Sequence, residues 1–308
     1  MRVLVTGGTG LIGSALCASL LRDGHHPVVL SRRPEAARSR LGDGVEVVRW
    51  ASGEPLPAVA LEDVKAVVNL AGESLGAGRW TAARKEQIME SRREVTRNLV
   101  LSIAGSGERA RVLVNASAVG YYGPRGDEEV TEKDAPGDDF LARVCRAWEV
   151  EACRAEDLGV RVVILRFGIV LARKGGSLPR LVRPFRFFLG GPLGSGRQWV
   201  SWVHLADALG LIRLALEEEG LAGPLNVTAP QPVRMEELAR TLGRVLGRPS
   251  RLRLPAVVLR LALGEMADML LTGQRVLPER ALRAGYSFHY PGLEAALRDL
   301  LAPAANKR

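Results

Sequence analysis

Three glycines carry the clearest chemistry in this chain of 308 residues. Gly7, Gly10 and Gly13 lie between an apolar run, Arg2-Val-Leu-Val-Thr6, and an apolar helical pattern from Leu11 to Leu21. A strand that enters a helix through this spacing brings free backbone N–H groups and the positive end of the helix dipole to one point, where an anion can be held. Gly7 permits the tight turn. Gly10 lets the backbone approach a phosphate with no Cβ between them, and Gly13 lets the helix pack closely on the strand. With the flanking strand and helix both present, the spacing predicts a dinucleotide pyrophosphate site built by Gly7, Thr9, Gly10, Leu11, Ile12 and Gly13.

Which dinucleotide is bound depends on the end of the second strand, where an acidic residue would take the ribose 2′-hydroxyl and a basic one a 2′-phosphate. The chain has Ser31-Arg32-Arg33 there. A hydroxyl beside a guanidinium that can grip phosphate in a bidentate fashion favours NADP(H) over NAD(H) through Ser31 and Arg32. The plainer alternative is that both arginines are ordinary surface charges.

Apolar strand-like runs alternate with helical periodicity through the first half. Val28 to Ser31, Val45 to Trp50, Ala66 to Leu70, Val112 to Ser117 and Arg161 to Arg166 follow the first strand. The helices are marked best by Thr81 to Ala104 and Phe140 to Leu158, which end near Gly105 and Gly159. This alternation predicts an α/β fold, a doubly wound parallel sheet of Rossmann type covered by helices on both faces. Beyond about residue 168 the pattern changes: Gly, Pro and aromatic residues crowd 175 to 196, a strand is expected over Gln198 to Val203, a helix over His204 to Glu219 and a strand over Leu225 to Thr228. Helices are then expected near Met235 to Leu246, Ala256 to Leu271 and Gly292 to Leu301, with a fraying tail from Ala302. The expected division is a nucleotide-binding domain over 1–230, with a cap-forming segment at about 172–200, and a smaller C-terminal α/β subdomain over 231–308.

Composition narrows the partners. The net charge of +9 is spread along the chain without a basic helix carrying interleaved aromatics, so nucleic acid is not the expected partner. No run of eighteen apolar residues predicts a membrane span, and a soluble, cytoplasmic protein is expected. Cys17, Cys145 and Cys153 lack metal-ligand spacing and sit in apolar helical patterns, which predicts buried free thiols. His204 and Asp207, three apart at a helix start, read as a cap and a domain contact rather than metal ligands.

Taken together, Thr6-Gly-Gly-Thr-Gly-Leu-Ile-Gly13, Asn69-Leu-Ala-Gly-Glu73, Ser117-Ala-Val-Gly-Tyr-Tyr-Gly123, Arg166-Phe-Gly168 and Ser201-Trp-Val-His-Leu-Ala-Asp207 resemble extended short-chain dehydrogenase/reductases. Within them the chain resembles the atypical epimerase-family branch, whose C-terminal domain is echoed by Gly264-Glu265 and Gly273-Gln-Arg-Val-Leu-Pro278 and whose members are sometimes labelled cell-division inhibitor-like. The resemblance implies that Leu70, Ala71 and Gly72 line the adenosine-ribose side and that Arg92 reaches the cofactor. It also implies weaker roles for Glu86 and Val170. The bland reading of Arg92 is an exposed helix charge.

The relatives' chemistry needs a tyrosine four residues before a lysine, so that both share one helix face. The five lysines here, at 65, 85, 133, 174 and 307, are preceded at that spacing by Leu61, Thr81, Glu129, Val170 and Pro303. Where relatives carry the pair, this chain aligns Phe140 and Val144. What remains is Ser117, able to hydrogen-bond a substrate oxygen, and the Tyr121-Tyr122 pair, either of which could serve as an acid. Two functions stay open: an NADP(H)-dependent oxidoreductase or epimerase acting on an unidentified small polar metabolite, of sugar-nucleotide kind, or a non-catalytic NADP(H)-binding regulator with a protein partner. A homo-oligomer is compatible with both.

Overall fold

The computed structural model describes residues 1–106 and 110–302. The expected fraying of the tail lies, beyond Ala302, outside the described residues. Seven parallel strands form the central sheet: β1 (Arg2–Thr6), β2 (His26–Ser31), β3 (Glu46–Arg49), β4 (Val64–Asn69), β5 (Val112–Ala118), β6 (Arg161–Phe167) and β7 (Gly223–Val227). Their order is β7-β6-β5-β4-β1-β2-β3. The strands are rich in Val, Ile and Leu and almost wholly buried, as a sheet covered on both faces requires. The order reverses between β4 and β1, so a crevice opens at their carboxyl ends, the place where ligands bind in such sheets.

The α-helices are α1 (Leu11–Arg22), α2 (Pro34–Leu41), α3 (Ala82–Gly105), α4 (Phe140–Cys153), α5 (Leu178–Arg186), α6 (Leu205–Glu217), α7 (Met235–Leu246), α8 (Ala256–Leu263), α9 (Asp268–Leu271), α10 (Glu279–Arg283) and α11 (Leu293–Leu301). Thr81 and Asp139 cap α3 and α4 by accepting backbone N–H bonds from Arg84 and Ala142. Three expected elements are shorter than their apolar patterns. The helix expected to run to Leu158 stops at Cys153 and resumes as a single turn at Glu156–Leu158. The helix expected over Ala256 to Leu271 breaks at Gly264, whose φ of +63° leaves the helical region. The strand expected over Gln198 to Val203 splits at Ser201: Trp199–Val200 pairs antiparallel with Val233–Arg234, and Trp202–His204 pairs parallel with Ile169–Leu171.

Two apolar layers fill the faces of the sheet, one centred on Val3, Val5, Leu16 and Leu165 and the other on Leu4, Val67, Leu99 and Leu113. A third core is separate from these, with Leu171, Phe185 and Trp202 packed against Leu238, Leu242 and Leu297. From the C-terminal region, Ala281, Tyr286 and Phe288 pack instead on the sheet's own core.

A buried polar chain ties the crevice together. Thr6 Oγ1 donates to Asn69 Oδ1 at 2.5 Å, and the Asn69 amide donates to Asn115 Oδ1 at 2.6 Å and to Thr96 Oγ1 at 2.8 Å. Trp148 Nε1 also donates to Thr96, at 3.0 Å. The ends of β1, β4 and β5 are thus locked to α3 and α4. Replacing Asn69 by Ala strands several of these groups away from water, and a loss of about 3 kcal/mol in urea-unfolding free energy is expected; an unchanged midpoint would show that the chain of bonds is not stabilising.

Candidate active site

The glycine turn has the geometry its spacing requires. Gly7 has a φ of +65°, and a Cβ on it would stand 2.5 Å from the Leu70 carbonyl oxygen. A Cβ on Gly13 would collide with the Gly7 carbonyl, so helix and strand can approach this closely only with glycine there. Gly10 donates to the Gly7 carbonyl at 2.9 Å and begins α1 with no side-chain cap. The first-turn N–H groups of Leu11, Ile12 and Gly13 therefore face the crevice without a side-chain partner. Gly175 and Gly176, both with positive φ, rest against the Leu11 side chain, and Val170 lies beside Gly176 in the strand Ile169–Leu171.

At the end of β2, Ser31 Oγ accepts the Arg33 N–H at 3.1 Å, and the Arg32 and Arg33 side chains are exposed with no ion-pair partner among the described residues. Across the turn, Leu70, Ala71 and Gly72 follow β4, with the Leu70 N–H bonded to the Thr6 carbonyl at 3.2 Å. Arg92 corrects its bland reading: it is buried rather than exposed. Its guanidinium lies beneath Gly72 and over the Trp148 ring at 5.1 Å, and it donates to the Ile88 and Glu73 carbonyls at 2.9 and 3.1 Å. Arg92 thus braces the loop after β4. Glu86 projects from the exposed side of α3 and touches none of these groups.

The end of the crevice at β5 and β6 holds a buried charge that the motifs only partly disclosed. Arg166, near the end of β6, makes a two-pronged pair with Glu149 of α4, Nε to Oε1 at 3.0 Å and Nη2 to Oε2 at 2.8 Å. Ser117 at the end of β5 donates to the same Oε1 at 2.6 Å, so its proton is committed to Glu149. Arg166 Nη1 donates to the Tyr122 hydroxyl at 3.0 Å, and Tyr122 donates to Asn226 Oδ1 at 2.7 Å. Burial opposes the Arg166 charge, yet the bidentate carboxylate outweighs it and pushes the guanidinium's pKa up. Of the two tyrosines, Tyr122 is excluded as an acid: it is fully buried, its proton is engaged, and burial pushes its pKa up to about 12. Tyr121 is different. It is half-buried, the Arg166 guanidinium covers its ring at 3.4 Å, and its hydroxyl has no hydrogen-bond partner among the described residues.

Glu149 and Asn226 escaped sequence reasoning. Glu149 is 32 residues from Ser117 and 17 from Arg166, so only the fold brings the three together. The signal that could have found it is a carboxylate on the buried face of α4, where a charge demands a partner. Phe140 stands at the start of α4 against the edge of Trp80, 5.2 Å between centroids, and Val144 is buried. A lysine does reach Phe140, but from α3: Lys85 Nζ lies 5.2 Å over its ring and is paired with Glu265. His204 accepts the Ala206 N–H through Nδ1 as the cap of α6, and Nε2 meets Asp299 at 3.2 Å. Asp207 accepts the backbone N–H groups of His289 and Tyr290, which ties the C-terminal region to α6. Cys17 and Cys145 are buried free thiols as expected, whereas Cys153 is only half-buried.

Comparison with known proteins fits this arrangement. Residues 3–227 match the NAD dependent epimerase/dehydratase family, and residues 254–300 match a domain of unknown function, DUF1731. The chain belongs to the NAD dependent epimerase/dehydratase family. It is 42% identical to the epimerase family protein YfhF of Bacillus subtilis over 303 residues, 98% of each chain. The crystal structure of human epimerase family protein SDR39U1 with NADPH superposes with a TM-score of 0.87 at 36% identity, covering 97% of this chain and 99% of that one. A nucleoside-diphosphate sugar epimerase from Corynebacterium glutamicum matches with a TM-score of 0.79 at 33% identity, over 97% of this chain and 58% of that longer one.

The buried phenol gives a pH signature. Its pKa in the unfolded chain is about 10 and in the fold about 12, so the contribution is complete below pH 10 and is lost as pH rises to 12. Stability should fall by about 3 kcal/mol over that interval from this group. Chemical unfolding at several alkaline pH values should show a shallower slope in Tyr122→Phe, and identical slopes would place the phenol outside the core.

Proposed function

We propose that this protein is an NADP(H)-dependent oxidoreductase of epimerase type that works on a small polar carbonyl substrate, with Tyr121 as the proton donor. The observation that carries this reading is Tyr121 itself, whose phenol is held by the face of Arg166 while its hydroxyl stays unengaged. The fit to the cofactor rests on three features of the chain: uncapped N–H groups at the start of α1, a cradle at Gly7 that a Cβ would fill, and the unpaired Arg32 guanidinium beside Ser31. Gly7, Thr9, Gly10, Leu11, Ile12 and Gly13 would hold the pyrophosphate, Ser31 and Arg32 the 2′-phosphate, and Leu70, Ala71 and Gly72, braced by Arg92, the adenosine side. NADPH supplies a hydride when bound. Tyr121 gives the carbonyl oxygen its proton and recovers one from water. Ser117 acts through Glu149, fixing the carboxylate that fixes Arg166. Residues 1–230 serve as the nucleotide-binding domain and 231–308 as the cap subdomain, with 172–200 closing over the first turn of α1. The relative named for nucleoside-diphosphate sugars supports a sugar-nucleotide-like substrate.

A second reading, an NADP(H)-responsive binding protein without turnover, is favoured by one observation: α4 carries no tyrosine or lysine, Phe140 being packed against Trp80 and Val144 buried. The two readings part on hydride transfer. Calorimetry should give NADPH an affinity at least tenfold above NADH, about 1.4 kcal/mol, with the order reversed in Arg32→Asp; equal affinities would show that the end of β2 does not select the cofactor. NADPH oxidation over a panel of carbonyl compounds should reveal a reduction that falls at least a hundredfold, about 2.7 kcal/mol, in Tyr121→Phe while NADPH affinity holds. Tight NADPH binding with no oxidation by any compound selects the binding protein, and turnover unaffected in Tyr121→Phe assigns the acid elsewhere.

A further inference from the structure

Exposed large apolar side chains are unevenly placed on this molecule. Phe187, Phe188 and Leu189, just past α5, are 66%, 57% and 61% exposed. The chain then runs beside the segment before α8: Leu252 N–H bonds to the Gly190 carbonyl at 3.1 Å, Leu254 N–H to Pro192 at 3.0 Å and Gly194 N–H to Leu254 at 2.8 Å. These bonds set Leu252 and Leu254, both exposed, alongside the residues that follow Leu189. From Leu254 the chain enters α8, whose outer side presents Val257, Val258 and Leu261, the last 72% exposed, while Leu259 turns inward. The result is one apolar ridge, built by two neighbouring segments of the cap. Phe185 shows that the ridge is not a misplaced core, since it is the aromatic that the third core takes from this stretch.

Beside the phenylalanines and Leu252 the charge has one sign. Residues 158–206 contain no Asp or Glu, and neither do residues 238–264. Arg183 and Arg186 flank the phenylalanines on α5, Arg248 lies over the Phe188 ring at 4.5 Å, and Arg251 precedes Leu252. All four are exposed, and none has a carboxylate partner among the described residues. The pattern differs on α8, where Arg260 pairs with Asp268, and farther off on α7, where Arg240 pairs with Glu236 and Arg244 with Glu294. Aromatic and aliphatic tips surrounded by unpaired arginines complement a surface that is apolar a few ångströms down and negative on top. An anionic lipid bilayer has that profile. No described helix is long and apolar enough to span it. The geometry points to a peripheral membrane-docking face: the ridge Phe187–Leu189 with Leu252, Leu254 and outer α8 enters the headgroup layer of an anionic bilayer while Arg183, Arg186, Arg248 and Arg251 hold its phosphates.

The test is co-sedimentation of the full chain with vesicles of phosphatidylcholine alone and of phosphatidylcholine with about a third phosphatidylglycerol. Binding is expected to the anionic vesicles, to weaken as salt is raised, and to fall at least tenfold in the double variant Arg183→Glu, Arg186→Glu and likewise in Phe187→Ser, Phe188→Ser. NADPH affinity and the thermal midpoint should stay unchanged in both variants, which separates loss of docking from loss of fold. Failure to sediment with anionic vesicles overturns the proposal. So does a concentration-dependent dimer, seen by ultracentrifugation and abolished in the serine variant, which would make a second copy the occupant. Binding to polyglutamate without binding to vesicles would assign the ridge to an acidic protein surface and overturn it equally.

Discussion

The pairing of Arg166 with Glu149 is the constraint on which the half of the crevice at β5 and β6 rests. The guanidinium enclosed at the end of β6 is tolerated because a carboxylate meets it in bidentate contact and its remaining N–H groups are satisfied. Glu149 supplies the carboxylate from α4, the Tyr122 hydroxyl takes another N–H, and Ser117 completes the acceptor side of Glu149. The consequence is positional: β5, β6, α4 and, through Asn226, β7 cannot shift separately. Tyr121 is carried along because its ring is the floor on which the guanidinium lies. A cation that stabilises little by itself therefore fixes the one phenol whose proton is unengaged.

The nucleotide half rests on steric contact instead of charge. Gly7 and Gly13 leave no room for a Cβ, so strand, turn and helix are pressed together and the first turn of α1 points into the crevice. The Thr6–Asn69–Asn115 chain then fixes the loop after β4 against that turn. Arg92 supports this loop from below. Its burial exchanges solvation for two carbonyls and an aromatic face, which lowers its pKa through desolvation without giving it a carboxylate partner. Each half is thus rigid for a different physical reason, and the two meet at Thr96 and Trp148, where α3 and α4 share hydrogen bonds.

What the sequence disclosed follows from how local each determinant is. The first strand, the glycine turn and α7 were legible because their patterns lie within a dozen residues. The sheet strands were legible as apolar runs, although His26 and Pro27 extend β2 two residues earlier than its periodicity suggested. The split at Ser201 was not legible, because what interrupts the strand is nonlocal: the Ser201 hydroxyl bonds to the Gln274 carbonyl and the Val276 N–H, more than seventy residues away. Glu149, Asn226 and the buried state of Arg92 were hidden for the same reason. A polar residue on a helix carries no mark of whether its partner is water or a side chain on a distant strand.

Charge shows the same limit in another form. Read along the chain, the arginines are scattered, and scattering argued against nucleic acid as a partner. Folding sorts them. Those on α7 and α11 meet glutamates one turn away or across the helix pair, while those beside Phe187 and Leu252 find none, because two acid-free stretches far apart in sequence run side by side. A surface field is a property of which segments become neighbours and of what neutralises them, so an even distribution in sequence is compatible with a concentrated one in space. Beside Phe187 and Leu252 unpaired charge is gathered by side chains from two segments, whereas the anion-attracting start of α1 is made by backbone geometry.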